Sequence, residues 1–350
     1  MMKMNRIINK ALFYKEWVYV KWITLLTILI VLFSKANEVI VALHDKGMIH
    51  RQGGENYYWF NNVVYAENIG VFIMVLVVLI LAAILFSGEK TSETQGFMAS
   101  MPFKRKEIIF NKWLVGVVSL LISFAVTYIF LSLFYLLNIK GLDTTINPYS
   151  DIIKWFFMNT FQYICIFTFM MLIQAVMGNS IVSSIVGGII VMVPLFITLI
   201  AQYLSVRDYR YTHYQYMIFY KISNWLNICF YNLSQQCLVK TSINNVYSNV
   251  FSYYSNYKLK LLVFFMLTCL FLYFAYVAYK MRNIEYNLRL IVFKNLEYVF
   301  IWGVAICSGL LAGAIFGSDR LREFGIWFVI FTIIGYFISK LLLKVLSSRK

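Results

Sequence analysis

The sequence predicts an all-α membrane protein, a polytopic bundle of about eight transmembrane helices. Hydrophobic residues make up 61% of the 350 residues, whereas charged residues make up only 13%. A soluble domain of this length needs about a quarter of its residues to be charged. The mean hydropathy of +0.73 likewise indicates that lipid is the natural solvent of this chain.

The amino-terminal residues predict an interfacial helix that precedes the first span. Residues 1–16 place basic side chains on one side of a helix and apolar side chains on another, which is typical of a helix in the headgroup region. The first span follows at Trp17–Phe33, and a polar loop at 35–68 comes after it. A cleavable signal peptide is disfavoured because no Ala-x-Ala-like site follows the apolar run.

Later apolar runs each have the roughly 20 residues that a helix needs to cross about 30 Å of hydrocarbon. They lie at Ile69–Ser87, Leu114–Leu137, Trp155–Met177, Ile181–Leu204, Leu259–Tyr279, Tyr298–Phe316 and Ile326–Leu343. The tyrosine-rich stretch 205–258 predicts one amphipathic helix at the membrane interface. Its apolar residues at helical spacing are Ile218, Ile222, Trp225, Cys229 and Leu233.

The basic residues indicate the orientation of the chain. With a cytoplasmic amino terminus, the inner segments (1–21, 89–113, 280–297 and 340–350) hold 18 of the 31 Lys and Arg residues in 75 positions. The outer segments hold 13 in 116 positions. Because cytoplasmic loops are enriched in Lys and Arg, both termini are expected to be cytoplasmic. The net charge of +16 is therefore a topology signal, and we expect no nucleic-acid partner.

The spans show no sign of catalytic chemistry. Apart from Lys21 near the start of the first span and Lys260 at the start of the sixth, no Asp, Glu, Lys, Arg or His lies inside the first seven predicted spans, which disfavours a proton relay or a metal site in the membrane. The three histidines, His44, His50 and His213, lack the spacing of zinc ligands. Gly88-Glu89-Lys90-Thr91 lacks the glycines of a phosphate loop. We therefore expect no catalytic residue, metal or cofactor in this chain.

The five cysteines divide into two groups. Cys165, Cys269 and Cys307 lie in apolar runs and are expected to pack as small hydrophobic residues. Cys229 and Cys237 share a polar loop, where they either remain free or form a disulfide if the loop is extracytoplasmic.

The charged segment 89–113, between the second and third spans, predicts a contact with a soluble partner. Two short helices are expected, broken near Gly96 and Ser100, with Pro102 in the first turn of the second. Between charged flanks, Phe97, Met98, Met101 and Phe103 form an apolar knob that fits a cleft on another protein. The alternative is an ordinary basic loop that obeys the charge rule.

This segment and the topology resemble the permease subunit of type-2 ATP-binding-cassette exporters. That family shares an amphipathic amino-terminal helix, an acidic start after the second span and a "Met/Leu-Pro-x-x-Arg-x-x-Ile…Lys" stretch before the third. The matching positions are Glu89, Glu93, Met101, Pro102, Arg105, Ile108 and Lys112. The resemblance covers about residues 1–280, a six-span permease core that includes the outer loop 205–258. Residues 281–350 form an extension with two further spans, which departs from the basic family pattern, as does Phe103-Lys104.

The resemblance implies a bacterial cell-membrane protein that exports a hydrophobic or amphipathic substrate. It implies two partners, a cytoplasmic ABC ATPase that binds ATP and Mg, and a second permease chain, identical or different. The segment 89–113 then couples ATP hydrolysis to transport. The residues expected to act in coupling are Glu89, Glu93, Phe97, Met101, Pro102, Phe103, Lys104 and Arg105.

Small residues recur every four positions in the fifth and seventh spans and predict close helix packing, within one bundle or between two chains. They are Ser180, Ser184, Gly188, Ala305, Gly309, Gly313 and Gly317. In the fourth span, Asn159, Gln162 and Gln174 either line a route for cargo or form hydrogen bonds between helices.

Two other functions stay open at this point. One is a membrane-embedded transferase that uses the 205–258 loop, with Asp208 or His213 in its site, although no nucleophile–base spacing stands out. The other is a non-catalytic immunity or sensor protein, which needs no ATPase.

Overall fold

The computed structural model describes residues 10–51, 59–66, 70–90, 104–208, 213–239, 249–282, 291–317 and 321–347. Its helices are α1 (Lys10–Arg51), α2 (Trp59–Tyr65), α3 (Gly70–Lys90), α4 (Arg105–Asn138), α5 (Ser150–Val176), α6 (Ser180–Asp208), α7 (His213–Leu226), α8 (Tyr257–Met281), α9 (Lys294–Phe316) and α10 (Leu321–Ser347). Among the described residues, eight helices are long and apolar enough to cross a membrane. This confirms the predicted all-α polytopic fold.

The first helix is longer than its predicted span. α1 runs for 42 residues without a break, so residues 10–16 continue directly into the span, and the predicted end at Phe33 was wrong. The helix continues beyond Phe33 because one of its faces stays packed against the protein. On that face, Val31, Lys35 and Val39 recur every four residues, and each is less than a tenth exposed. The predicted interfacial residues 1–9 lie outside the described residues.

The tyrosine-rich stretch is not one amphipathic helix. α7 ends at Leu226, where the side chain of Asn227 donates to the backbone oxygen and the hydroxyl of Ser223 and so competes with further helical bonds. A short 3₁₀ turn then leads into two antiparallel strands, β1 (Gln235–Val239) and β2 (Asn249–Tyr253). Cys229 and Leu233 therefore lie beyond the helix that was predicted to contain them.

The chain forms two compact units by its internal packing. The first draws on residues 1–85, 104–169 and 229–273, and the second on 86–103, 170–228 and 274–350. The predicted boundary at residue 280, between a six-span core and a two-span extension, stays a prediction.

In the first unit, α1 and α4 pack along their small polar residues. The hydroxyl oxygens of Thr24 and Ser119 lie 2.7 Å apart, and the Ser123 hydroxyl donates to the Thr24 carbonyl at 3.3 Å. Gly116 of α4 lies against the Phe167 ring of α5, where a Cβ would come within 2.0 Å of a ring carbon. A glycine is therefore needed for this approach.

In the second unit, α9 and α10 form a close helical hairpin. The Ser308 hydroxyl donates to the carbonyl of Phe331 at 3.2 Å, and the Ser339 hydroxyl donates to that of Ile301 at 3.5 Å. At one end of this unit, a small apolar cluster joins Met177 and Ile291 to both helices of the hairpin. The backbone N–H of Val292 donates to the carbonyl of Val176 at 3.0 Å and completes the link.

Candidate coupling site

Most of the predicted coupling residues lie outside the part of the chain that the structure describes. These are Glu93, Phe97, Met101, Pro102 and Phe103, together with the side chain of Glu89. The structure does describe Lys104 and Arg105, which are exposed at the start of α4. The coupling role of all eight residues stays a prediction.

The first turn of α4 carries an exposed basic cluster. Lys104 occupies the N-cap position with extended backbone, and its carbonyl accepts the N–H groups of Glu107 and Ile108. Lys104, Arg105 and Lys106 are all exposed. Positive charge is unfavourable at a helix amino terminus, and Glu107 alone in this turn complements the dipole. The cluster therefore does not serve helix stability, and it is suited to contacts with acidic groups outside the helix.

Further into α4, Lys112 is only 1% exposed. Its Nζ donates to Oε1 of Glu16 in α1 at 3.1 Å and to the backbone carbonyl of Leu85 in α3. Glu16 is itself 4% exposed. Three helices, α1, α3 and α4, thus meet at one ammonium group, and we call Glu16, Leu85 and Lys112 the junction.

The junction is a buried ion pair with a third, neutral partner. Taking two charges out of water is costly, so such a pair is kept only where good geometry compensates. The Lys15 ammonium is 3.9 Å from Glu16 but lies on a side chain that is about a third exposed, so it contributes little. Lys112 is therefore the main electrostatic partner of Glu16 in this part of the chain.

Sequence reasoning placed Lys112 in the family pattern but missed Glu16. A signal was present, since Glu16 lies four residues after Leu12 and four before Val20, and both of these are buried. A carboxylate in the apolar stripe of a helix indicates a buried partner. The identity of that partner, nearly a hundred residues away, comes only from the tertiary structure.

The predicted small-residue faces pack against neighbours within the same chain. On α6, Ser180 and Ser184 are buried, and Gln174 Nε2 donates to the Ser180 carbonyl at 2.9 Å and to the Ser184 hydroxyl at 2.8 Å. Gly188 is half-buried.

The α9 glycines face α10. A Cβ on Gly309 would lie 2.7 Å from the carbonyl oxygen of Phe328, and one on Gly313 would lie 2.8 Å from the ring of Phe324. A Cβ on Gly317 would lie 2.9 Å from the Phe324 Cα. A pairing of either face with a second chain stays a prediction.

The buried amides of α5 form hydrogen bonds with the segment after α7. Gln162 Nε2 donates to the carbonyl of Cys229 at 2.7 Å and to Oδ1 of Asn232 at 2.9 Å. Asn232 Nδ2 in turn donates to Oδ1 of Asn159 at 2.9 Å. Of the two interpretations left open, the geometry therefore favours structural hydrogen bonding. We call Asn159, Gln162, Cys229 and Asn232 the amide cluster.

Cys229 and Cys237 do not form a disulfide. Cys229 is buried, and its burial, with a smaller effect of nearby Cys165, raises the pKa of its thiol to about 12. Cys237 is exposed on β1.

Among the residues that the structure describes, no group of three His, Cys, Asp or Glu side chains is placed to hold a metal ion. His44 is exposed, and the side chains of His50 and His213 lie outside the described residues.

Eight apolar spanning helices with charged groups buried at a helical junction define a multi-pass membrane protein. The chain belongs to the ABC-2 family transporter proteins, because the model of that family matches residues 57–241. The match begins just before α2 and ends just after β1. It confirms the resemblance to a type-2 permease and identifies a membrane transport subunit rather than a catalytic enzyme. No curated protein and no solved structure matches the chain significantly.

Proposed function

We propose that this chain is the membrane subunit of an ATP-driven exporter and that a separate cytoplasmic ABC ATPase docks on segment 89–113. The observation that carries the proposal is the family match over 57–241, which includes the whole of this segment. The ATPase, and not this chain, supplies the sites for ATP and Mg. A second permease chain, identical or different, completes the transporter in a bacterial cytoplasmic membrane with both termini inside.

The junction supports a mechanical role for the segment. The stretch between Leu85 and Lys112 contains all of residues 89–111, and its two ends are held together by one ammonium group. The same group binds Glu16 of α1. A displacement of the segment by the closing ATPase is therefore transmitted to α1, α3 and α4 together, because buried ion pairs do not stretch without large cost.

The proposed substrate class rests on the resemblance to type-2 exporters. Cargo is hydrophobic or amphipathic, such as a peptide, lipid or drug, and it passes along the interface between the two permeases. The chain performs no bond chemistry, since its contribution is to change the access of that interface to either side of the membrane.

Aspartate substitution in the apolar knob tests the docking site. The double variant Phe97→Asp/Met101→Asp places charge in a contact that must exclude water, which is costly for an unpaired carboxylate. We expect normal membrane insertion but a loss of ATPase binding and of ATP-coupled transport in reconstituted vesicles. The matched control is Ser92→Asp/Thr94→Asp, which adds the same charge to the same segment and leaves the knob intact.

Isolation of the chain from its native membrane provides the second test. A soluble ATPase should co-purify with the wild-type chain and with the control variant, and should be absent from the knob variant. Equal recovery of the ATPase with all three chains would contradict docking at this segment. Transport that continues without any ATPase would contradict the ATP-driven mechanism as a whole.

A further inference from the structure

The short helix α2 is held by polar contacts from several other elements of the first unit. With seven residues it is too short to be stable alone. Its Asn61 is fully buried and bonds to three partners. The Asn61 backbone N–H donates to Oδ1 of Asn147 at 2.9 Å, and its Nδ2 donates to Oδ2 of Asp151 at 2.8 Å. Its Oδ1 accepts the backbone N–H of Ser252 in β2 at 2.9 Å.

The carboxyl end of α2 is held by a cation from α1. Lys35 is 4% exposed, and its Nζ donates to the carbonyl oxygens of Val63 (3.2 Å), Val64 (2.9 Å) and Ala66 (2.6 Å). These are carbonyls of the kind that a helix leaves without internal partners, and a positive charge is favourable there. The ammonium also lies 5.4 Å from the centre of the Trp155 ring.

The two-stranded hairpin depends on α2 in turn, because a hairpin of this size is marginal alone. The N–H of Ser252 points to Asn61, so one edge of the hairpin is covered by α2. The Ser252 hydroxyl donates to Oδ1 of the neighbouring Asn62 at 3.1 Å. We call α2, residues 139–149, β1 and β2 the cap.

The cap lies at one end of the spans and the amide cluster lies deeper. Asp151 and Gln162 are eleven residues apart in α5, which corresponds to about 16 Å along the helix, or half the hydrocarbon thickness. Between them, the rings of Tyr65 and Tyr254 meet edge-on at 4.7 Å. Asn159 Nδ2 donates to the Tyr254 hydroxyl at 3.5 Å. Through Tyr65 and Tyr254, the cap therefore adjoins the amide cluster from the Asp151 end of α5.

We propose that Asn61 is the positioning residue that keeps the cap closed over the amide cluster. Its side chain joins Asp151 of a spanning helix to the N–H of Ser252 in the hairpin, and both bonds are lost together if it moves. Loss of that side chain leaves a buried N–H without its acceptor, so the hairpin separates from α2. The spanning helices are expected to stay folded, because α1 and α4 also contact each other directly through Thr24, Ser119 and Ser123. This inference does not rest on the ATPase or on the direction of transport.

Native cysteines report on this opening. Cys229 belongs to the amide cluster and is 4% exposed, whereas Cys165 is 1% exposed within α5 of the same unit. A background with Cys237, Cys269 and Cys307 replaced by alanine leaves these two thiols. Labelling of Cys229 reports an open cap, and labelling of Cys165 reports general unfolding of the bundle.

The test compares Asn61→Ala with the matched neighbour Asn62→Ala. Purified chain in liposomes is treated with a membrane-impermeant maleimide on both sides, and the two cysteines are followed separately by mass spectrometry. We expect Asn61→Ala to accelerate the labelling of Cys229 by about tenfold or more while Cys165 stays protected. Asn62→Ala, which removes one bond to the hydroxyl of Ser252, should stay within about threefold of the parent.

A second variant tests the same closure from the other end of α2. Lys35→Met removes the cation from the α2 carbonyls and should also expose Cys229 selectively. The proposal is overturned if both variants leave Cys229 as protected as in the parent. It is also overturned if Cys165 and Cys229 become reactive at the same rate, since Asn61 would then support general stability and not the position of the cap.

Discussion

In Lys112→Met, the Glu16 carboxylate stays buried while the ammonium at 3.1 Å is removed. The loss of one partner from a buried ion pair costs about 3–5 kcal/mol, because the remaining charge is poorly solvated and keeps only the more distant, partly exposed Lys15 as a partner. Methionine fills much of the volume of the lysine stem, so the loss of packing is small. We therefore expect a decrease of about 3 kcal/mol or more in the free energy of unfolding. In Glu16→Gln/Lys112→Met the junction holds no buried charge, and we expect part of this loss to be recovered.

The assay is denaturant unfolding of the purified chain in detergent, with Glu16→Gln completing the double-mutant cycle. Residues in direct contact show interaction energies of about 0.5–3 kcal/mol in such cycles, and we expect a value near the upper end. Lys106→Met is the matched control, since Lys106 lies in the same helix and is exposed. Equal unfolding of Lys112→Met and Lys106→Met, or a cycle without interaction energy, would refute the argument for the junction.

Two further predictions concern the second unit and the buried thiol. Gly309→Ala should destabilise the α9–α10 hairpin by about 1–3 kcal/mol, because the new methyl group would lie 2.7 Å from the backbone oxygen of Phe328. Gly303→Ala, where the new methyl group would meet no atom of the described neighbouring helices within 4 Å, should instead stabilise the helix by about 0.5–1 kcal/mol. Equal effects of the two substitutions in thermal unfolding would contradict this packing. Because only a thiolate reacts, the raised pKa of Cys229, about 12, should keep its alkylation slow between pH 7 and about 9, with exposed Cys237 as the reference. Rapid alkylation of Cys229 at the lower pH would show that this thiol is not buried.

The candidate coupling site could be predicted from the sequence only in part. The pattern from Met101 to Lys112 predicts it, because charge and proline positions are readable along the chain. The junction escaped sequence reasoning because Glu16 and Lys112 are brought together only by the packing of α1 on α4. Lys35 was assigned to a loop for a similar reason: its partners are backbone carbonyls of α2, and backbone carbonyls carry no sequence signal.

The stretch after α6 shows a second reason for failure. Ile218, Ile222 and Trp225 have helical spacing and do lie in α7, but the same spacing at Cys229 and Leu233 is coincidental. Asn227 ends the helix by local hydrogen bonding, and the following strands are stabilised through contacts with α2, more than 160 residues earlier. Periodicity cannot detect a hairpin whose stability comes from so distant a partner.

Composition and apolar run length by themselves determined that this chain is a bundle of about eight spanning helices. The sequence was sufficient for that conclusion because backbone polar groups are costly to expose to lipid. Apolar runs of this length therefore form helices, which satisfy their own backbone hydrogen bonds. The tertiary structure alone decided which charges are buried and with what, as in the pairing of Glu16 with Lys112 and of Lys35 with α2. A charge can be buried only where a partner lies within about 4 Å. Such partners come from segments that are distant in sequence, and local sequence patterns do not reveal which of these segments are neighbours in space.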